Sequence, residues 1–289
     1  MRLRVLTALL LVALIVLAPV ARGARPVILL AAGDIADCSS NGAALTARLI
    51  EHQPGTVAAI GDTAYPSGSA SDYRNCYAPT WGQFRSRTYP ATGNHEYITS
   101  GASAYFAYFG DRAHPPGGYY SYQLGSWHII VLNSNCDFVS GSCGPGSPQL
   151  RWLQADLARH RARCTLAYWH HPLFSSGPHG PTAAVRPFWT TLAKAGADIV
   201  LNGHDHLYQR FAPINAAGVV DPAHGMREFV VGTGGGPFYQ AIRTSAGSRK
   251  VITNHWGVLR LQLGTSRYSW QFLWAPSGRV LDAGSGGCR

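Results

Sequence analysis

The motif Gly203-His204-Asp205-His206 contains the side chains of this chain that are best suited to bind a metal ion. It comes one residue after the apolar run 199–201, so both histidines stand where a predicted strand opens into a loop. In open α/β sheets, ligands bind in the crevice at the carboxyl ends of the strands. Imidazole is a common ligand for zinc, iron, copper and nickel. A single His-x-His pair is weak evidence, and the other segments of the chain decide its meaning.

Four further segments also place metal-ligating side chains after apolar or strand-like runs. They are Asp34; Asp62 with Tyr65; Asn94 followed by His95; and His170. Asp34 and Asp62 both end predicted strands at a Gly-Asp pair, so their carboxylates should lie at the same sheet edge. Five loops would then supply seven ligands: Asp34, Asp62, Tyr65, Asn94, His170, His204 and His206. Seven ligands are enough for two metal ions that share one bridging carboxylate.

The elements that must position these side chains alternate between strands and helices. A strand over 27–32, a helix over 42–52 and a strand over 56–60 follow one another, and the two strands are nearly unbroken apolar runs. This order indicates a parallel sheet covered on both faces. Runs over 119–124 and 127–132, separated by two residues, predict an antiparallel hairpin. Other predicted elements are helices over 103–109, from 147–148 onward and over 185–195, and strands over 164–169, 198–201, 228–231, 258–263 and 268–273. The chain contains no linker and no repeat, which predicts a single catalytic domain over 24–289.

The first 23 residues have the pattern of a secretory signal peptide. A basic start precedes an apolar stretch over 5–17, and small residues surround a candidate cleavage site at 21–23. Thirteen apolar residues are few for a membrane span of about 20, so we expect cleavage, export to the cell envelope or medium, and no stable membrane span afterwards. Cleavage would remove three arginines and lower the formal charge from +10 to +7. Basic and aromatic residues do not interleave, so no nucleic-acid partner is expected.

Six cysteines follow this segment: Cys38, Cys76, Cys136, Cys143, Cys164 and Cys288. None of them forms a Cys-x-x-Cys pair, which argues against a structural zinc site. An even number of cysteines in an exported chain indicates disulfides, and we expect no free thiols. Six cysteines allow fifteen pairings, among which Cys136–Cys143 is the simplest to propose because it closes a small loop.

The order of these motifs resembles the calcineurin-like metallophosphoesterases and, more narrowly, the purple acid phosphatases. The resemblance rests on Gly33-Asp34, Gly61-Asp62-x-x-Tyr65, Gly93-Asn94-His95-Glu96, His170 and Gly203-His204-x-His206, and covers nearly all of the predicted mature chain. Most metallophosphoesterases have Asp-x-His in the first motif, whereas this chain has Asp34-Ile35-Ala36 and carries Tyr65 instead. A phenolate oxygen is a hard, anionic donor that suits ferric iron. Two departures from the family pattern, Ala36 for glycine and Gln209 for glutamate, remove no ligand.

The resemblance implies a fold, a ligand set and a pairing of cysteines. The fold is an α/β four-layer α/β/β/α sandwich of two mixed sheets flanked by helices. A ferric ion would be bound by Asp34, Asp62, Tyr65 and His206, and a divalent ion (zinc, manganese or iron) by Asp62, Asn94, His170 and His204, with Asp62 bridging. Cys38 would pair with Cys76, and Cys164 with Cys288.

The implied activity is hydrolysis of small phosphate monoesters at acidic pH by attack of a metal-bound hydroxide. Such esters resist hydrolysis because their charged oxygens repel a nucleophile, and two metals about 3.5–4 Å apart neutralise that charge and acidify a bound water. His95 is the candidate for stabilising the phosphate or leaving-group oxygen, and His179 is a candidate general acid. His171 is expected to support a ligand or to pack. The glycine-rich segment 232–236 resembles a dinucleotide loop, but no helix pattern follows it, so it predicts a turn near the metals and no organic cofactor.

Two alternatives stay open at this point. A phosphodiesterase or nucleotidase could use the same two metals, because leaving-group recognition depends on loops such as 67–77 and 114–119. A secreted binding protein could keep the fold without catalysis, although such proteins usually lose ligands and none of the seven is missing here. The sequence does not decide the oligomeric state.

Overall fold

The computed structural model describes residues 25–289, so the predicted signal peptide over 1–23 lies outside the described residues. The strands are β1 (Val27–Ala32), β2 (Thr56–Ile60), β3 (Thr88–Ala91), β4 (Tyr120–Leu124), β5 (Trp127–Val131), β6 (Cys164–Tyr168), β7 (Ile199–Asn202), β8 (Tyr208–Ile214), β9 (Met226–Val231), β10 (Ser248–Ile252), β11 (Gly257–Leu263), β12 (Arg267–Trp274) and β13 (Arg279–Gly287). The α-helices are α1 (Gly42–Glu51), α2 (Ala70–Asp72), α3 (Asn94–Ile98), α4 (Ser103–Phe109), α5 (Pro148–Arg159) and α6 (Arg186–Lys194). No helix in this part of the chain is long and apolar enough to cross a membrane.

The strands form two mixed sheets. One has six strands in the order β13-β12-β11-β1-β2-β3, and the other has seven in the order β10-β8-β9-β7-β6-β5-β4. In the six-stranded sheet, β1, β2 and β3 are parallel to one another, and β11, β12 and β13 pair antiparallel with their neighbours. In the seven-stranded sheet, β5, β6, β7 and β9 are parallel, and β4, β8 and β10 pair antiparallel with their neighbours. The predicted parallel β1–β2 pair and the predicted β4–β5 hairpin are both confirmed.

Alternating side chains of the central strands build two hydrophobic layers. Ile199 and Leu201 of β7 belong to a core that joins the two sheets, whereas Val200 between them packs with the helices α5 and α6 on the other face. This alternation follows from the two-residue period of a strand. α1 flanks the six-stranded sheet with Ala43, Ala47 and Ile50 buried. The layers are therefore helix, sheet, sheet and helix, which confirms the predicted sandwich.

Four strands were not predicted, and each lacks the apolar pattern of a central strand. β3 contains Pro90 and lies at a sheet edge, where a residue without a backbone N–H is tolerated. β8 contains Pro213 at an irregularity in its pairing with β9. β10 and β13 are edge strands with many half-exposed residues. β10 and β13 are therefore defined by hydrogen bonds to a neighbour, whereas β3 and β8 are largely buried but contain a proline and polar residues.

All six cysteines are paired, in the arrangement that the family resemblance implied. The bonds are Cys38–Cys76, Cys136–Cys143 and Cys164–Cys288, and the described residues include no free cysteine. The last bond ties the start of β6 to the carboxyl-terminal end of the chain across a separation of 124 residues. It restricts the unfolded chain far more than the bond between Cys136 and Cys143, which are separated by only 7 residues.

Replacing both Cys164 and Cys288 by serine is expected to lower the free energy of unfolding by about 4–5 kcal/mol, because the entropy model assigns about 4.7 kcal/mol to a loop of about 100 residues. Urea unfolding monitored by circular dichroism measures the change. The matched control replaces Cys136 and Cys143 by serine and should cost only about 2–3 kcal/mol by the same relation. Equal losses in the two double variants would contradict the entropic explanation.

Candidate metal centre

The structure brings all the predicted metal-ligand segments to one edge of the two sheets. Asp34 follows β1, Asp62 follows β2, Asn94 begins α3 just after β3, and His170 follows β6. His204 and His206 lie in the loop between β7 and β8. Since β1 to β3 are parallel to one another, as are β6 and β7, their carboxyl ends open onto a common crevice.

Each of the two aspartates uses one carboxylate oxygen to accept a backbone hydrogen bond and presents the other to the centre of the crevice. Asp34 Oδ2 accepts the N–H of His204 at 2.8 Å, and Asp62 Oδ1 accepts the N–H of His95 at 2.8 Å. The remaining oxygens, Asp34 Oδ1 and Asp62 Oδ2, lie 3.0 and 3.3 Å from the Tyr65 hydroxyl. The backbone bonds therefore fix which oxygen of each carboxylate is free to bind.

Two imidazole rings are oriented in the same way by backbone carbonyls. His170 Nδ1 lies 2.9 Å from the carbonyl oxygen of Ile60, and His206 Nδ1 lies 2.6 Å from that of Pro237. Because a carbonyl oxygen only accepts, each Nδ1 is the protonated nitrogen and donates. Each Nε2 is then left to act as a donor atom for a metal, which is how ligating histidines are commonly oriented.

The polar atoms form two groups that share Asp62. In the first group, His206 Nε2 lies 3.1 Å from the Tyr65 hydroxyl and 3.2 Å from Asp34 Oδ1. In the second, His170 Nε2 lies 3.1 Å from Asp62 Oδ2, and one donor atom each from Asp62, His170 and His204 lies within 4.8 Å of the others. Asp62 Oδ2 contacts Tyr65 in one group and His170 in the other. This arrangement matches a carboxylate that bridges two ions.

Buried polar atoms that make no hydrogen bond provide a test of whether these residues fit metal ions. Asn94 Oδ1 is buried without a hydrogen-bond partner, and His170 Nε2 lies 3.1 Å from Asp62 Oδ2 without forming a hydrogen bond, although buried polar groups are normally satisfied. Burial lowers the pKa of His170, but the charges of Asp62 and Asp34 outweigh it and raise the pKa to about 10. The ring is thus surrounded by negative charge that favours a bound cation. The donor set of carboxylates, imidazoles, amide and phenol fits ferric iron with zinc, manganese or ferrous iron.

Tyr65 faces the same excess of negative charge. Burial raises the pKa of its hydroxyl well above the ordinary value, and the carboxylates of Asp34 and Asp62 raise it further. A phenolate at this position therefore requires a strong positive charge beside it, because a bound ion inverts the local electrostatics. Its hydroxyl lies within 3.3 Å of both carboxylates, so such a charge would contact all three groups.

Glycine is required where two of the loops approach each other. Gly61 has a φ of +74°, and a Cβ there would lie 2.7 Å from His170 Nδ1 and 2.8 Å from the nitrogen of Gly93. A Cβ on Gly93 would overlap Asp62 itself. These glycines let the ligand-bearing loops pack closely, so the Gly-Asp and Gly-Asn pairs do more than form turns.

The three other histidines singled out from the sequence surround the candidate ligands. His95 contacts the Tyr65 ring at 4.5 Å, and its Nδ1 lies 2.5 Å from the carbonyl oxygen of Pro66. His171 contacts the His204 ring at 4.4 Å, and burial together with the charge of His170 lowers its pKa to about 3. His179 is exposed, and its ring centre lies 4.5 Å from that of His204. His95 and His179 therefore both border the crevice.

The glycine-rich segment 232–236 forms a turn beside these side chains, as the sequence predicted. Gly234 and Gly236 donate their N–H groups to the carbonyl oxygens of Gly33 and Asp34 at 2.9 and 2.8 Å. The following residues were not singled out from the sequence. Pro237 orients His206 through its carbonyl oxygen, and the Tyr239 ring stacks on the His206 ring with centroids 4.0 Å apart. No motif in the sequence connects Tyr239 with His206.

Glu96 belongs to the third motif, but the sequence analysis assigned it no role. Its buried carboxylate accepts the N–H groups of Asp62, Thr63 and Gly93 at 2.9, 2.7 and 2.6 Å, and the Thr63 hydroxyl at 2.9 Å. It therefore ties the loop after β2 to the loop after β3. Its place at the third position of α3, where glutamate often caps a helix start, was the available signal.

Replacing Glu96 by alanine is expected to lower the free energy of unfolding by at least about 3 kcal/mol, because each buried donor left without a partner costs about 1–3 kcal/mol. The same variant should bind metal more weakly, since the backbone around Asp62 loses its support. Urea unfolding and metal titration measure both effects. Glu51→Ala, at an exposed position at the end of α1, is the control and should change neither. A Glu96→Ala variant as stable as the wild type would show that these hydrogen bonds are dispensable.

Comparisons with known proteins agree with this geometry. A probable purple acid phosphatase 20 from Arabidopsis thaliana is 28% identical over 169 residues, an alignment that covers 49% of this chain and 38% of that protein. The structure of the purple acid phosphatase PPD1 from yellow lupin (Lupinus luteus) seeds superimposes with a TM-score of 0.70 at 19% identity, covering 90% of this chain and 53% of the other. The chain therefore spans well under two thirds of the length of these relatives. The predicted resemblance to purple acid phosphatases is confirmed.

A second solved structure shows how widely the fold is used. GAP50, named as the anchor in the inner membrane complex of Plasmodium, superimposes with a TM-score of 0.72 at 12% identity, covering 92% of this chain and 90% of the other. At this identity the likeness concerns the fold alone. The model of the calcineurin-like phosphoesterases matches residues 9–208, a region that includes all seven candidate ligands. The chain belongs to the calcineurin-like phosphoesterase family.

Proposed function

We propose that this protein is a metal-dependent phosphatase that hydrolyses small phosphate monoesters at acidic pH with a centre of two metal ions. The observation that supports it most is the shared position of Asp62 Oδ2, which contacts Tyr65 of one ligand group and His170 of the other. Asp34, Asp62, Tyr65 and His206 would hold ferric iron. Asp62, Asn94, His170 and His204 would hold a divalent ion. When bound, the pair would neutralise phosphate charge and acidify water.

The residues of the chain itself would bind and orient the ester. His95 borders the ligand group, with Nε2 3.9 Å from Asp62 Oδ2, and would donate a hydrogen bond to a phosphate or leaving-group oxygen. His179, beside His204 on an exposed loop, would protonate the leaving group as a general acid. Neither role requires a change in the fold, since both rings already border the crevice.

Export and a single catalytic domain over 24–289 are part of the same proposal. The pairing of all six cysteines suits an oxidising compartment, where disulfides persist. The basic pattern followed by an apolar stretch at the start of the sequence suits a cleaved signal peptide.

Metal analysis and parallel kinetics on one purified sample test the proposal. We expect two metal ions per chain, one of them iron, and a kcat/KM for a phosphate monoester that exceeds that for a diester by at least about tenfold. A preference for the diester would assign the protein to the phosphodiesterase alternative. Two bound ions without turnover of either ester would favour the binding-protein alternative.

A further inference from the structure

The motif that supplies His204 and His206 also carries two buried polar side chains that belong to neither ligand group. Asp205 lies between the two histidines, and Gln209 lies three residues after them; both are fully buried. Their hydrogen bonds lead away from the ligand groups to the loop over 175–179, which ends at His179.

Asp205 fixes both ends of this loop. Asp205 Oδ1 accepts the N–H of His179 at 3.0 Å, and Asp205 Oδ2 accepts a hydrogen bond from the Ser175 hydroxyl. The same hydroxyl oxygen accepts the N–H of Gly177 at 3.0 Å. The Asp205 carboxylate therefore accepts the backbone N–H of His179, the residue whose side chain borders the crevice.

Gln209 holds the middle of the loop. Gln209 Oε1 accepts the N–H of Ser176 at 2.8 Å, and Gln209 Nε2 donates to the Ser176 hydroxyl at 2.8 Å and to the Ser248 hydroxyl at 2.9 Å. From the opposite side, the N–H groups of Ile242 and Arg243 donate to the carbonyl oxygen of Ser176 at 2.9 and 3.3 Å. The backbone of Ser176 is therefore fixed from two directions.

The packing leaves the loop little freedom but leaves the His179 side chain accessible. A Cβ at Gly177 would overlap the Asp205 carboxylate, so the loop lies directly on that side chain. His179 itself is exposed, and its ring lies 4.5 Å from the His204 ring and 5.3 Å from the Tyr239 ring. The anchored part of the residue is its backbone, and the free part faces the candidate centre.

We propose that Asp205 and Gln209 are positioning residues that hold the 175–179 loop so that His179 stays beside His204 and acts on the leaving-group oxygen. Asp205 is the residue between the candidate ligands His204 and His206 in the chain. A loop that is held by Asp205 therefore keeps a fixed position relative to the candidate metal site. The catalytic part of this inference rests on the proposed function, whereas the anchoring of the loop rests on the contacts alone. Side chains that support a catalytic group in this way are needed to keep it within its working geometry.

The activity test compares esters with good and poor leaving groups, p-nitrophenyl phosphate and an alkyl phosphate. We expect His179→Ala to lower kcat/KM about 10²-fold for the alkyl phosphate and by less than about 10-fold for p-nitrophenyl phosphate, because proton donation matters most when the leaving group is poor. Asp205→Ala should show the same selectivity, and the double variant should lose little more than either single variant. Asp205→Asn, which keeps an acceptor for the His179 N–H, should recover most of the loss.

The matched control is Asp198→Ala at the opposite end of β7. Asp198 is also buried and also accepts two backbone hydrogen bonds, from Thr165 and Arg289 at 2.9 and 3.0 Å. Its loss should affect both esters equally through stability alone. Ser175→Ala, outside the ligand motif, is a second test variant and should resemble Asp205→Ala with both metal ions still bound.

Hydrogen exchange gives a readout that does not depend on activity. In the wild type, the amides of Gly177 and His179 should be protected, and Asp205→Ala or Ser175→Ala should increase their exchange at least about tenfold while Asp198→Ala leaves it unchanged. Equal losses of activity on the two esters, or unchanged exchange in the loop, would overturn the positioning role. A wild-type protein that hydrolyses neither ester would overturn the proposed function instead, and the exchange data would still decide whether Asp205 holds the loop.

Discussion

Asp62→Ala is expected to lose both metal ions and to reduce kcat/KM for a phosphate monoester by at least about 10³-fold. Asp62 Oδ2 is the oxygen that contacts both ligand groups, through Tyr65 and through His170. Two metals contribute several kcal/mol of transition-state stabilisation, and each loss of about 1.4 kcal/mol lowers the rate tenfold. The variant also removes the acceptor of the His95 N–H, so the loop carrying Asn94 should loosen.

Elemental analysis of the purified Asp62→Ala protein measures the metal content directly. The control is Asp72→Ala in the neighbouring loop, where the carboxylate accepts hydrogen bonds from Ser67 and Ser69 and contacts neither ligand group. Asp72→Ala should retain both ions. Two ions still bound to the Asp62→Ala variant would rule out the bridging role.

Tyr65→Phe is expected to abolish a visible charge-transfer band while leaving the fold intact. If Tyr65 binds ferric iron as a phenolate, the wild-type protein should be purple to pink in its oxidised form. The substitution removes the hydroxyl and keeps the ring, which packs against His95 and His206. Activity should fall only partly, because Asp34, Asp62 and His206 would still hold the first ion and the second group is unchanged.

Tyr73→Phe is the matched control for the spectroscopic measurement. Tyr73 is also fully buried, and its hydroxyl lies 2.6 Å from the Thr63 hydroxyl, but it belongs to neither ligand group. Absorption spectra of the two variants should therefore differ, with the band present in Tyr73→Phe only. An iron-replete, active wild-type enzyme without colour would count against the ferric–phenolate site, and the two-metal phosphoesterase proposal would remain.

The family was predictable from the sequence because the candidate metal ligands lie in short motifs at the ends of strands. An apolar run precedes each of the pairs Gly33-Asp34, Gly61-Asp62 and Gly203-His204. The sequence therefore predicts both the parallel strands and the sheet edge at which the polar side chains lie. The structure confirms these strands and brings the side chains together. The cysteine pairing needed the family resemblance, since spacing alone left fifteen arrangements open.

Edge strands were harder to predict than central ones for a physical reason. A central strand is buried on both faces and is therefore apolar throughout, as in β1. β3 and β13 lie at the two edges of the six-stranded sheet, and neither is apolar throughout. Each is defined by hydrogen bonds to one neighbouring strand, β2 for β3 and β12 for β13, and not by an uninterrupted apolar run in the sequence.

Residue types and strand ends predict which side chains are suited to bind metal and that they lie at one sheet edge, because both are local properties of the sequence. How those side chains are held is visible only in the folded chain. Asp62 Oδ1 is used by His95 while Oδ2 faces Tyr65 and His170, and Glu96 joins two loops through four donors. Asp205 holds the His179 loop across 26 residues of sequence. Most of these contacts join residues that are far apart in the chain, so the spacing of residues in the sequence does not predict them.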